Sequence, residues 1–241
     1  AGYGESDYKY FLYTCIINAV VGGLLLLYGR GAENKMSRRD GYCVVTLSWV
    51  FFTFFGMLPF YFSGSIDTIT NAFFETMSGF TTTGATILDD IESLSHGMLF
   101  WRSLTQWIGG LGIVFFTIAI LPIFTTGGVQ LFSAESTGVT HDRTHPKINV
   151  MAKWLWTIYL VLTVSETVLL MFGGMSLFDA ICQSFATTAT GGYSTKQNSI
   201  SYWNSPYIEY VVAIFMIVSS INFSLFLMCL KGKVGRLFKD E

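Results

Sequence analysis

Five stretches of this 241-residue chain are apolar and nearly free of charge: 8–28, 42–62, 101–124, 152–172 and 207–230. A helix needs about 20 such residues to cross a hydrocarbon layer ~30 Å thick. Backbone polar groups in lipid must be paired within their own segment, which a helix does. The expected class is therefore an all-α membrane protein. Charged residues make up 12% of the chain and mean hydropathy is +0.50; a soluble domain carries roughly a quarter. The 22 Phe, 12 Tyr and 6 Trp exclude disorder. A net charge of -2 implies no nucleic-acid partner. Cys15, Cys43, Cys182 and Cys229 lie in or beside apolar segments without C-x-x-C spacing, and read as small membrane residues.

Two further apolar pieces, 66–80 and 175–186, are too short to span, and each runs into a Thr/Gly-rich stretch. That pattern predicts re-entrant helices. The basic residues set the expected orientation. Arg30, Lys35, Arg38 and Arg39 follow the first span, and Arg143, Lys147 and Lys153 precede or open the fourth. Lys231, Lys233, Arg236 and Lys239 follow the fifth. Five spans put all three groups on the cytoplasmic side, so loops 29–41 and 125–151 and the C-terminus are expected there. Lys9, Arg102 and Lys196 are left outside, beside an acidic set of Asp67, Asp89, Asp90, Glu92, Asp179 and Glu209. Singly these acids read as cap and loop residues; together they suit a vestibule that concentrates cations.

Shifting the chain by 108 residues lays Asn71 to Glu75 over Asp179 to Gln183, Thr82 over Thr190 and Gly84 over Gly192. The shared order of span, short helix, Thr/Gly loop and span marks an internal repeat. Three segments follow: 1–41 with the leading helix, 42–149 with the first helix–pore loop–helix unit, and 150–241 with the second. Neither loop holds a pair of groups suited to catalysis, so no enzyme activity is expected. Both hold small hydroxyl residues around glycine, which permits the backbone turns that aim carbonyls at one axis. Such oxygens replace the water shell of a monovalent cation. Each short helix ends at its loop, with its partially negative C-terminus facing the same point.

The run Phe73-Phe74-Glu75-Thr76-Met77-Ser78-Gly79-Phe80-Thr81-Thr82-Thr83-Gly84-Ala85-Thr86, with Trp101 to Gly112 and Leu121-Pro122 after it, resembles the TrkH/KtrB potassium transporter superfamily in its TrkH branch. The second loop, Thr190 to Thr195, is similar to the second filter of that family. The resemblance covers essentially the whole chain. It implies K⁺ uptake across a bacterial inner membrane, with no cofactor. K⁺ would be coordinated at Thr81, Thr82, Thr83, Gly84 and Ala85, and at Ala189, Thr190, Gly191, Gly192 and Tyr193. Glu75 is expected to brace the first loop, and Gln183 to make much the same bond uncharged in the second. The family also implies a homodimer and a cytosolic nucleotide-binding regulatory subunit, TrkA-like for this branch. Its pore uses four repeats, and two are present here. The chain is then the N-terminal half of a longer protein, or else a two-pore-loop potassium channel subunit that closes its pore as a dimer.

His141 and His145 read as a wet loop, because no third ligand joins them. Glu166 inside the fourth span pairs with a neighbouring helix, lines the outer cavity or is protonated, and a structural hydrogen bond is its simplest role. Gly109-Gly110-x-Gly112 has no strand before it and reads as helix packing beside the loops. An intramembrane enzyme built on His141, His145 or Glu166 is disfavoured, since these residues lie at different depths.

Overall fold

The computed structural model describes residues 7–31, 38–112 and 148–221, which form helices and connecting turns without strands. Helix α1 (Tyr8–Tyr28) is apolar on every face, and Thr14 is the buried residue on it. Its Leu12, Ile16, Val20 and Leu24 are about half exposed or more, the surface that lipid covers. The second predicted span is two helices, α2 (Arg38–Gly56) and α3 (Leu58–Phe62), separated at Met57. Pro59 lacks an N–H and breaks the ladder there. Bonds from Met57 N–H to the Thr53 carbonyl (2.9 Å) and Tyr61 N–H to the Met57 carbonyl (3.1 Å) keep the two in line.

The short helix α4 (Ile69–Phe80) starts three residues later than predicted, because Thr68 caps it on the Asn71 N–H. Helix α5 (His96–Gly110) starts five residues earlier, where Ser95 caps Met98 N–H. Helix α6 (Ile148–Phe172) is 25 residues long. The second short helix is α7 (Leu177–Thr188), and α8 (Pro206–Ser220) follows a 3-10 turn at Ser199–Trp203. Positions 113–124 and 222–230 of the predicted third and fifth spans lie outside the described residues, as do 32–37 and 125–147 of the two loops expected in the cytoplasm.

Polarity is distributed inside-out relative to a soluble protein. Large apolar side chains cover the outer faces of α1, α6 and α8, while Glu75, Arg102, Gln106, Glu166 and Gln183 are buried. Residues 8–31 and 153–172 are each long and apolar enough to cross a membrane. Two apolar clusters hold the frame. One joins Met57, Phe60, Ala72, Met98 and Leu99 around α4; the other joins Leu170, Ala180, Ile208 and Val212 around α7. Between them, α5 packs against both short helices, so residues on one helix reach the loops of both units.

Candidate functional site

The two short helices are built alike at an offset of 108 residues. Each is 12 residues long, and Ser176 caps Asp179 N–H just as Thr68 caps Asn71 N–H. Where they end, the backbone turns in the same way. Thr82 and Thr190 lie at φ 54 and 56, and Gly84 and Gly192 at φ 76 and 82. The carbonyl of Ser78 accepts from Thr83 N–H (3.0 Å) and Gly84 N–H (3.5 Å); that of Ala186 accepts from Gly191 N–H (2.8 Å) and Gly192 N–H (3.5 Å). Left-handed backbone at a β-branched threonine costs about 1–3 kcal/mol and persists only where its surroundings impose it. Here it occurs at both threonines that the repeat aligns.

The surroundings that impose it differ. In the first loop, Glu75 (1% exposed) accepts from Thr86 Oγ1 (2.9 Å) and Ile87 N–H (3.0 Å), tying the outgoing limb to the short helix. Ser78 Oγ donates to the Ala85 carbonyl at 2.6 Å. Glu75 is thus a hydrogen-bonded tie between α4 and the residues that follow the first loop. Gln183 does not make the corresponding one. Its Nε2 donates to Thr187 Oγ1 on the same helix at 3.3 Å, and its Oε1 has no partner among the described residues. An amide one helical turn from a threonine satisfies itself locally. The outgoing limb of the second loop is held instead by Thr195 Oγ1, which donates to Asp179 Oδ1 at 2.6 Å.

Two residues on α5 connect the loops. Arg102, one of the basic residues left over by the sequence-based topology, is buried at 2% exposure. Its Nε donates to Glu75 Oε1 at 2.7 Å and its Nη1 to the Ser194 carbonyl at 3.0 Å, while its guanidinium stacks 3.6 Å over the Tyr193 ring. Gln106, one turn on and fully buried, accepts Tyr193 N–H at 3.0 Å. Its side chain fills the space beside Gly191 that a Cβ would occupy. Tyr193 closes the circuit, its hydroxyl donating to the Glu75 carbonyl at 2.9 Å. The Tyr193 side chain is thus a strut behind the loops. The two loops also touch directly: a Cβ on Gly84 would overlap the Gly191 carbonyl oxygen, whereas one on Gly192 meets nothing within 4 Å. A charge inside an apolar stretch signals Glu75 in the sequence; that Arg102, 27 residues on, pairs with it and serves both loops depends on helix packing.

Elsewhere, Gly109 and Gly110 let α5 approach the Phe80 carbonyl and Ala189 closely. Several of the acids expected on the outer side are engaged in the structure. Asp90 caps the Glu92 and Ser93 N–H groups, and Glu92 faces Lys196 at 3.7 Å. Gln197 Oε1 accepts Ile91 N–H at 3.0 Å, tying together the segments that follow the two loops. His141 and His145 lie outside the described residues.

Helices of membrane length around two short helices that end in strained, oxygen-bearing loops define a helical membrane protein. Comparison with known proteins narrows this. A family model described as a TrkH cation transport protein matches residues 8–240, and the chain belongs to that family. It is 43% identical over 238 residues to the Trk system potassium uptake protein TrkH of Escherichia coli (strain K12), covering 98% of this chain and 49% of that protein. The TrkG protein of the same organism is 33% identical over 241 residues, covering 99% and 50%. The crystal structure of the potassium transporter TrkH from Vibrio parahaemolyticus matches with a TM-score of 0.79 and 34% identity, over 95% of this chain and 46% of that one. The chain spans about half the length of the relatives it matches.

Proposed function

We propose that this chain contributes two ion-coordinating loops to a potassium uptake protein. The observation that carries the reading is the duplicated backbone of residues 81–85 and 189–193, with its left-handed turns at Thr82, Gly84, Thr190 and Gly192. Carbonyl and hydroxyl oxygens of Thr81, Thr82, Thr83, Gly84 and Ala85, with those of Ala189, Thr190, Gly191, Gly192 and the Tyr193 backbone, replace water around K⁺. The C-terminal ends of α4 and α7 add partial negative charge at the same place. Ligands without carboxylates suit a monovalent ion better than Ca²⁺ or Mg²⁺. A membrane potential contributes about 2.3 kcal/mol per charge per 100 mV, which drives uptake without chemistry in this chain.

Segments 42–149 and 150–241 are the two repeats of this pore, and 1–41 holds a helix outside it. The names of the relatives and their length, about twice that of this chain, support a four-repeat transporter over a two-pore-loop channel. Loops 29–41 and 125–151 and the C-terminus face the cytoplasm of a bacterial plasma membrane, where their basic residues are favoured. There they meet a TrkA-like nucleotide-binding subunit, and the whole assembles as a homodimer. The test is uptake: expression of the intact gene product in bacteria lacking K⁺ uptake restores growth at low K⁺ and K⁺ accumulation. Growth that stays dependent on high external K⁺, with the protein present in the membrane, contradicts the reading.

A further inference from the structure

Glu166 is fully buried on α6, and the function proposed above makes no use of it. Its Oε2 accepts from Thr188 Oγ1 at 3.4 Å, and its Oε1 has no hydrogen-bond partner among the described residues. Thr188 is the last residue of α7; Ala189 and the left-handed Thr190 follow it. The acid therefore touches the turn from which the second loop departs. The seam around it is polar. Thr163 Oγ1 lies 3.5 Å from Thr188 Oγ1 and accepts the Trp107 indole N–H at 3.1 Å, and Thr167 Oγ1 donates to Ser184 Oγ at 3.0 Å.

The first unit packs the same helix pair without these groups. The positions 108 residues earlier are Leu58 for Glu166, Gly79 for Thr187 and Phe80 for Thr188, and Phe80 packs against Gly56 and Phe52. A short helix thus seats on its outer helix without an acid. An ionisable side chain within the membrane is expensive and argues for a role. The two loops also differ in how they are braced: Glu75 holds the first at Thr86 and Ile87, whereas in the second Gln183 bonds within its own helix and Asp179 holds Thr195 alone.

Building on the reading of these loops as K⁺-coordinating, we propose that Glu166 is a positioning residue for the second loop. It holds Thr188 from behind and so fixes where the oxygens of Thr190 and Gly192 stand. Its contribution is a hydrogen bond, which an amide reproduces.

The test measures K⁺ and Na⁺ uptake per transporter in the membrane, for the intact protein in cells without other K⁺ uptake. Glu166→Leu is expected to narrow the K⁺-over-Na⁺ ratio several-fold, and Glu166→Gln to restore most of it. Thr188→Val removes only the hydroxyl partner and should narrow the ratio similarly, with no further loss in the double variant Glu166→Leu with Thr188→Val. It also serves as the test if Glu166→Leu fails to accumulate. Gly192→Ser is the control for the loop assignment. If Gly192→Ser changes the ratio while Glu166→Leu or Thr188→Val leaves it intact, Glu166 is a packing residue and the inference falls. A ratio in Glu166→Gln as low as in Glu166→Leu also overturns it. If Gly192→Ser leaves the ratio intact, the reading of the loop falls first.

Discussion

The two pore-loop units share one backbone but not one means of support. The first loop is held by a buried carboxylate on its own short helix, where Glu75 collects Thr86, Ile87 and Arg102. The second borrows part of its support: Arg102 and Gln106 from α5 reach its Ser194 carbonyl and Tyr193 N–H, while its own Asp179 takes Thr195. Behind the short helices the pattern reverses, apolar around Phe80 and polar around Thr188. What the units hold in common is the caps, the helix length and the left-handed residues. The shared features therefore set the position of the oxygens, while the divergent ones make the loops depend on each other through α5.

That dependence is broken most directly at Arg102. Arg102→Met strands the Glu75 carboxylate and withdraws a donor from the second loop, and losing one partner of a buried pair costs about 3–5 kcal/mol. We expect the largest fall in melting temperature of the purified protein here, with Glu75→Gln milder because the amide still accepts from Ile87 N–H. A Glu75→Gln variant as damaged as Arg102→Met contradicts the shared role given to Arg102.

The glycines rank next. Gly84→Ser meets the Gly191 carbonyl as well as an unfavourable φ, whereas Gly192→Ser faces the φ alone. The latter costs about 1–2 kcal/mol. Gly84→Ser is thus expected to lower the melting temperature more; equal losses break the contact drawn between the loops. Gln183→Leu is smaller again and near neutral, since Oε1 has no partner to lose and an apolar replacement removes an unsatisfied group. A loss above about 2 kcal/mol restores Gln183 as a brace. Smallest of all is Lys196→Gln. Its partly exposed pair with Glu92 is worth about 0–1 kcal/mol, and any gain in K⁺ capture from the freed carboxylate should vanish at high ionic strength.

Much of this frame was legible in the chain. Apolar length fixes helices, and the offset that aligns Thr82 with Thr190 also aligns the caps Thr68 and Ser176. Boundaries slipped where caps compete with hydropathy: Ser95 starts α5 inside a polar stretch, and Pro59 splits an apolar run that hydropathy alone reads as continuous. The supports were harder. Glu75 stands out as a charge inside an apolar helix, but Arg102 sorts as an outer-face residue until α5 is placed between the short helices. Gln183 misleads for the opposite reason, because a matching repeat position carries no information about which neighbour its amide chooses. Tyr193 was readable as a loop residue through its backbone, not as the strut that its side chain forms with Glu75 and Arg102.

The central claim is that residues 81–85 and 189–193 select the ion. Its most direct test is the ratio of K⁺ to Na⁺ uptake by the intact protein carrying Gly84→Ser or Gly192→Ser, normalised to transporter in the membrane. Both substitutions are expected to lower the ratio, Gly84→Ser more than Gly192→Ser. Reduced uptake of both ions in equal proportion, with the ratio unchanged in both variants, contradicts the account.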